Sequence, residues 1–184
     1  MRKEYGKLVK EAFSENLRKS HSAVTRLKLK LVRGDTVHVI PTTSPSVSGY
    51  VILVPDHHGR DEFAIEIGWS TKGQFPELPM RPSGRASPAR SEFQRDEFIS
   101  RLCNLWTTKD YWWGENEPGG SRNGFKDVFE EMKFRQEDGL NWEKRAVEYA
   151  RDAVEQFSKF GIPYLDEFFA SKQVSRVQVS RSGL

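Results

Sequence analysis

The 184-residue chain holds a single cysteine, Cys103, so it can form no internal disulfide and assemble no cysteine-based zinc site. Long apolar runs are missing as well. No stretch approaches the roughly 18 apolar residues of a membrane span. The N-terminal residues carry charge but no apolar core of the kind a signal peptide needs. These absences make a cytoplasmic protein with no membrane partner the expectation. A strong excess of one charge is absent too: 29 Lys and Arg stand against 26 Asp and Glu, for a formal net charge of +3. That balance does not by itself imply nucleic acid. No internal repeat is visible.

Aromatic residues are what the chain has in quantity, with five Trp and twelve Phe available to a core. With 36% hydrophobic and 30% charged residues, the composition is that of a folded domain rather than a disordered segment. The length fits one domain, expected over 1–170, followed by a mobile basic tail over 171–184 marked by Lys172, Arg176 and Arg181.

The apolar pattern changes period along the chain. Tyr5, Leu8, Val9, Ala12, Phe13 and Leu17 recur in steps that predict an amphipathic helix at about 3–19. From Leu27 the period becomes two: Leu27, Leu29 and Leu31 alternate with lysines, and Val37 and Val39 alternate beyond a break at Gly34-Asp35. That reads as a hairpin. Tyr50–Val54 is a continuous apolar run suited to a central strand, and Phe63, Ile65, Ile67 and Trp69 alternate through a fourth. Four sequential strands with short links predict an antiparallel meander. Periodicity is lost over 70–91, rich in Pro and Gly, where a flexible loop is expected. Residues 93–106 fit either a helix or a strand. Helices return in the last third: a short one around Phe125–Met132, then one capped by Asn141 with an apolar line from Trp142 to Phe157. Gly161 followed by Pro163 predicts a left-handed helix stop. The fold class is α+β: a mostly antiparallel sheet of four or five strands, with the N-terminal helix and the C-terminal helices on one face and the other face partly open.

Three segments carry a resemblance to a bacterial family of unknown function, the DUF4304 domain. They are the strand Phe63–Trp69, the stretch Arg101-Leu102-Cys103-Asn104-Leu105 with the following Asp110–Trp113, and Phe160–Asp166. Cys103 stands where that family usually has glycine. The resemblance spans residues 5 to 170, implies an α+β fold and favours a strand near 99–105; it brings no catalytic residues with it.

Chemistry-bearing residues gather in a few places. Asp56, His57 and His58, with Asp61 and Glu62 close behind, mix imidazole and carboxylate as a divalent metal would require. Neighbouring side chains in one turn diverge, so a solvated hairpin turn is the preferred reading there, with no cofactor expected. A nucleophilic site would use Cys103 with His38 or His57 as base and Asp110 to orient it, yet no local signature supports one. His21 and His38 could also approach in space.

Trp106, Tyr111, Trp112 and Trp113 form the most unusual stretch. Adjacent tryptophans in an extended segment cannot both point inward, so one of Trp112 and Trp113 is expected to be exposed. The alternative is that a helix or the arginine-rich loop covers both. Arg81, Arg85 and Arg90 in that loop could contact phosphates, giving a nucleic-acid-associated alternative. The expected function is a non-enzymatic module that binds another protein through Trp106, Tyr111, Trp112, Trp113 and those arginines. The other alternative is a metal-dependent hydrolase built on Asp56, His57 and His58.

Overall fold

The computed structural model of the chain describes residues 3–27, 36–41, 47–56, 61–72, 92–94, 96–107, 111–114 and 142–170. The predicted first helix is α1, Lys3–Ser20, with Tyr5, Val9, Ala12, Phe13 and Leu17 buried along one face. Glu4 in its first turn and Arg18 and Lys19 in its last turn suit the helix dipole. The meander follows as β1 (Thr25–Leu27), β2 (Thr36–Ile40), β3 (Ser48–Pro55) and β4 (Glu62–Ser70), each antiparallel to the next. The hairpin pairing thus begins at Thr25, two residues ahead of the alternation at Leu27.

Next come β5 (Glu92–Gln94), β6 (Glu97–Arg101) and the two-residue β7 (Trp113–Gly114). The sheet order is β1-β2-β3-β4-β6-β5, and β7 also pairs with β4. The ambiguous stretch therefore resolves into strand up to Arg101 and a 3₁₀ turn over Leu102–Leu105.

The longest pairing joins β3 to β4, from Ser48↔Ser70 to Pro55↔Phe63. Along β4, Phe63, Ile65, Ile67 and Trp69 join the helices in the main core, together with Val9, Phe13, Leu17, Ala150 and Phe157. The alternate residues Glu62, Ala64, Glu66, Gly68 and Ser70 face the other way. The expectation of a partly open second face is not met. Val37, Tyr50, Ile52, Val54 and Ile99 form a separate buried cluster there, and β4 is buried along its whole length. The continuous apolar run of β3 places Tyr50, Ile52 and Val54 on that face as well as Val51 and Leu53 in the main core.

Helix α2, Trp142–Gln156, packs on α1 through Ala146, Ala150 and Ala153, whose small side chains let the two axes come close. The helices run parallel and in step. The Tyr5 and Trp142 rings lie 6.4 Å apart near their N-termini, and His21 Nε2 lies 2.8 Å from Ser158 Oγ at the far end.

The helix does not stop at Gly161. Phe157–Gly161 is a π-turn whose closing bond runs from the Ile162 N–H to the Phe157 carbonyl, and Ile162 keeps a right-handed helical conformation. The chain then continues as a helix, α3, over 162–170. Proline lacks the N–H that an α-helix would use at position 163, and the wider π-turn just ahead of it absorbs that mismatch. Leu165 and Phe169 of α3 reach the main core, and Phe168 stacks on Trp69 at 4.0 Å. Among the described residues no helix is long and apolar enough to cross a membrane.

Candidate functional site

One edge of β4 is shared between two strands. Arg101 to Glu97 of β6 pair with Glu66 to Ser70, whereas Trp113 and Gly114 of β7 pair with Phe63 and Glu62. Between the two the chain leaves the sheet, turns through Leu102–Leu105 and returns by Tyr111 and Trp112. This excursion presents the aromatic stretch.

Return to the sheet sorts the adjacent tryptophans by face, as strand alternation requires. Trp113 lies inside at 2% exposure, stacked on Phe63 at 5.8 Å, and its indole Nε1–H donates to Asp152 Oδ2 at 2.7 Å. Helix α2 thus covers Trp113, which belongs to the core. Trp112 turns the other way, stays half-buried and lies against the Arg101 guanidinium, 4.8 Å from its ring centroid.

Trp106 and Tyr111 meet on the helix side. Trp106 stacks on Phe160 at 4.9 Å and meets the edge of Tyr111 at 6.2 Å; Tyr111 in turn sits edge-on to Trp113 at 4.8 Å. Lys159 places its Nζ 4.9 Å from the Phe160 centroid. Trp106, Tyr111 and Phe160 are each half-buried, so together they form a contiguous aromatic patch whose inner wall is the core. Burial pushes the Tyr111 hydroxyl pKa up, and Asp152 and Tyr149 nearby push it the same way.

Phe160 and its π-turn had no signal of this role in the pattern of apolar spacing, and neither had Asp152. Strand β4, the 3₁₀ turn and the π-turn meet here. β4 carries Phe63 under Trp113, the 3₁₀ turn supplies Leu102, and the π-turn sets Gly161 against Leu102 and Phe157.

The remaining candidates separate. Arg81, Arg85 and Arg90 lie outside the described residues, as do His57, His58 and Asp110. Asp56, Asp61 and Glu62 are buried, not solvated as expected of an exposed turn, because the β3–β4 ladder extends this far: the Asp56 N–H donates to the Glu62 carbonyl at 2.9 Å. Among the described residues no three potential ligands converge on a metal position.

Cys103 and His38 are not brought together. His38 lies in the row His38↔Val51↔Ile67↔Ser100, three strand spacings or about 14 Å from β6. Cys103 is buried just past β6, in the small-hydrophobe role. His38 is buried against α1, its Nε2 3.0 Å from Ser14 Oγ, and burial followed by the charges of Arg26 and Arg18 lowers its pKa to about 4. His21 instead serves the far end of the α1–α2 pair, its ring edge-on to Phe157 at 5.9 Å. Burial lowers its pKa, against the opposing pull of Asp166.

Comparison with models of protein families, with curated protein sequences and with solved structures finds no match to this chain.

Proposed function

We propose that the chain is a non-enzymatic protein-binding module, an accessory or neutralising partner of another bacterial or phage protein, and that Trp106, Tyr111 and Phe160 anchor the contact. One observation carries this reading. Three aromatic side chains from segments about 50 residues apart in sequence lie ring to ring, each partly open to solvent, at the junction of a 3₁₀ turn and a π-turn. Aromatic anchors held rigid by neighbours lose little entropy on binding and are over-represented among the side chains that dominate interface energies. A π-turn is a departure from regular helix that often accompanies a functional surface. Trp112, half-buried over Arg101, extends the surface on the opposite side of the strand.

The test is affinity capture from the native host with the wild type and with Trp106→Ala, Phe160→Ala and Trp112→Ala. A partner should be held by the wild type and lost with Trp106→Ala or Phe160→Ala while each variant keeps its folded circular dichroism spectrum. A captured set unchanged by all three substitutions would remove the basis of the proposal. Capture of nucleic acid in place of protein, abolished by moderate salt, would favour the nucleic-acid reading instead.

A further inference from the structure

A second surface lies away from the aromatic patch, along the outer side of the two parallel helices. A groove of about 700 Å³ runs between α1 and α2, and its apolar lining comes from Leu8, Trp142 and Val147. Val147 is the exposed large apolar side chain of the described residues, at 41%. We propose that this face binds a second copy of the same chain, in a two-fold symmetric dimer whose helices cross the interface antiparallel.

The argument rests on how the helices are set against each other. Tyr5 and Trp142 are 137 positions apart (142 − 5), and His21 and Ser158, in contact at the other end, are also 137 apart. Each residue of α1 is therefore level with the residue of α2 numbered 137 higher. Lys7 is level with Lys144, and one helical turn further on Glu11 is level with Glu148. All four side chains line the groove. The face thus carries a positive band across both helices, followed by a negative band across both. Glu143 stands one residue from Lys144 and tempers the positive band, Glu4 lies beyond it at the N-terminal end, and Arg151 lies beyond the negative band.

Such a pattern is complementary to itself. A two-fold axis that lies in the interface across the helices reverses the order of the bands, so it sets each positive band on the negative band of the other copy. The midpoint between Lys7 and Glu11 is level with Val9, and that between Lys144 and Glu148 with Ala146, which again differ by 137. One axis therefore serves both helices. It passes beside Val147, so the exposed apolar side chains of the two copies meet where water is most fully excluded. Arg151 then stands within two residues of level with Glu143 of the second copy, which offsets the placement of that Glu143 one residue from level with Glu148. A strongly charged partner has no such match, because the bands nearly cancel.

The pairs inside one copy do not compete strongly. Lys7 Nζ is 4.0 Å from Glu11 Oε1 and Lys144 Nζ is 3.9 Å from Glu148 Oε1, with the side chains largely exposed. Contacts of this kind contribute little, and the same groups can turn to a second copy. At 1.5 Å per residue the 18 and 15 residues of the two helices span about 27 and 22 Å, and a face two helices wide, about 20 Å, offers roughly 500 Å² per copy, at the low end of specific interfaces. The dimer is accordingly weak, concentration-dependent and salt-sensitive.

Sedimentation velocity across a wide concentration range, at low and high salt, tests this on the intact chain. The wild type should pass from monomer to dimer as concentration rises, with the transition moving at least about tenfold higher in concentration at high salt. Val147→Arg, and separately Lys7→Glu with Lys144→Glu, should leave monomers. The fourfold exchange Lys7→Glu, Glu11→Lys, Lys144→Glu, Glu148→Lys swaps the two bands, stays self-complementary and should dimerise again. All these positions are exposed or half-buried, so the variants fold. A wild type that stays monomeric throughout, or a Val147→Arg chain that dimerises as well as the wild type, overturns the proposal.

Discussion

Arg101 and Glu66 face each other across the β4–β6 pairing, 3.6 Å apart and both sealed from solvent, and Trp112 closes over the guanidinium from outside. A buried ion pair costs desolvation on both sides, so its net contribution is small, but removing one partner leaves the other's buried charge less well compensated. Arg101→Met is therefore expected to cost about 3–5 kcal/mol, and Glu66→Leu a similar amount. The double variant should cost clearly less than the sum of the two. Arg101→Lys should not rescue, because an ammonium lacks the planar face that lies on Trp112. Urea unfolding reads all four; single variants within about 1 kcal/mol of the wild type would show that neither buried charge depends on the other for its compensation.

Acid should loosen the α1–β2 contact through His38. The Ser14 hydroxyl donates to the Lys10 carbonyl at 2.7 Å, so it accepts the Nε2–H of His38. Nδ1 is left as a bare lone pair that meets no partner among the described residues. Burial is the main reason the folded pKa falls from 6.5 to about 4. Between those values the unfolded chain binds a proton that the folded chain does not. Stability is thus intact above about pH 6.5 and declines as pH falls toward 4, by about 3 kcal/mol for this group. His38→Gln should flatten the slope of unfolding free energy between pH 7 and 5; an unchanged slope would assign the acid sensitivity to other groups.

Trp113 and Trp106 should behave in opposite ways although both stand in the same aromatic stretch. Trp113→Phe keeps the stack on Phe63 but loses the bond to Asp152, a charge-assisted contact worth about 1.5–3 kcal/mol. Asp152→Ala should cost a comparable amount, and the pair together much less than the sum, which a double-mutant cycle measures. Trp106→Ala, half-buried on the surface, should change partner capture far more than it changes stability. Full additivity of Trp113→Phe and Asp152→Ala would show that the bond contributes nothing in solution.

Much of the fold was legible because amphipathic period survives in the sequence. Helix α1 and strands β2 and β4 announce themselves through apolar periodicity and β3 through a continuous apolar run, and the alternation rule alone set Trp112 and Trp113 on opposite faces. What could not be read depends on tertiary contact. Phe160 looks like any apolar residue near a helix end until the π-turn turns it toward Trp106. Asp56 and Glu62 look like turn residues until the ladder encloses them. The self-complementary face needed the level of α1 against α2, which no periodicity within either helix encodes.

Gly161 offers the sharpest check, since the same residue admits two explanations with different consequences. A left-handed helix stop would tolerate asparagine well and alanine poorly. In the π-turn the backbone is right-handed and the limit is space. A Cβ built on Gly161 would lie 2.5 Å from Phe157 Cδ2 and 3.1 Å from Leu102 Cδ1. Phe157 is itself fully buried in the main core, so its ring has little room to retreat. Gly161→Ala is then expected to cost about 1–3 kcal/mol through overpacking, and Gly161→Asn more, because the larger side chain meets the same wall. Placing Gly161→Ala in a Phe157→Leu background should recover part of that cost, as the smaller side chain vacates the clash. Urea midpoints of the three chains, each against its own parent, decide between the two: an asparagine variant more stable than the alanine one would restore the left-handed stop.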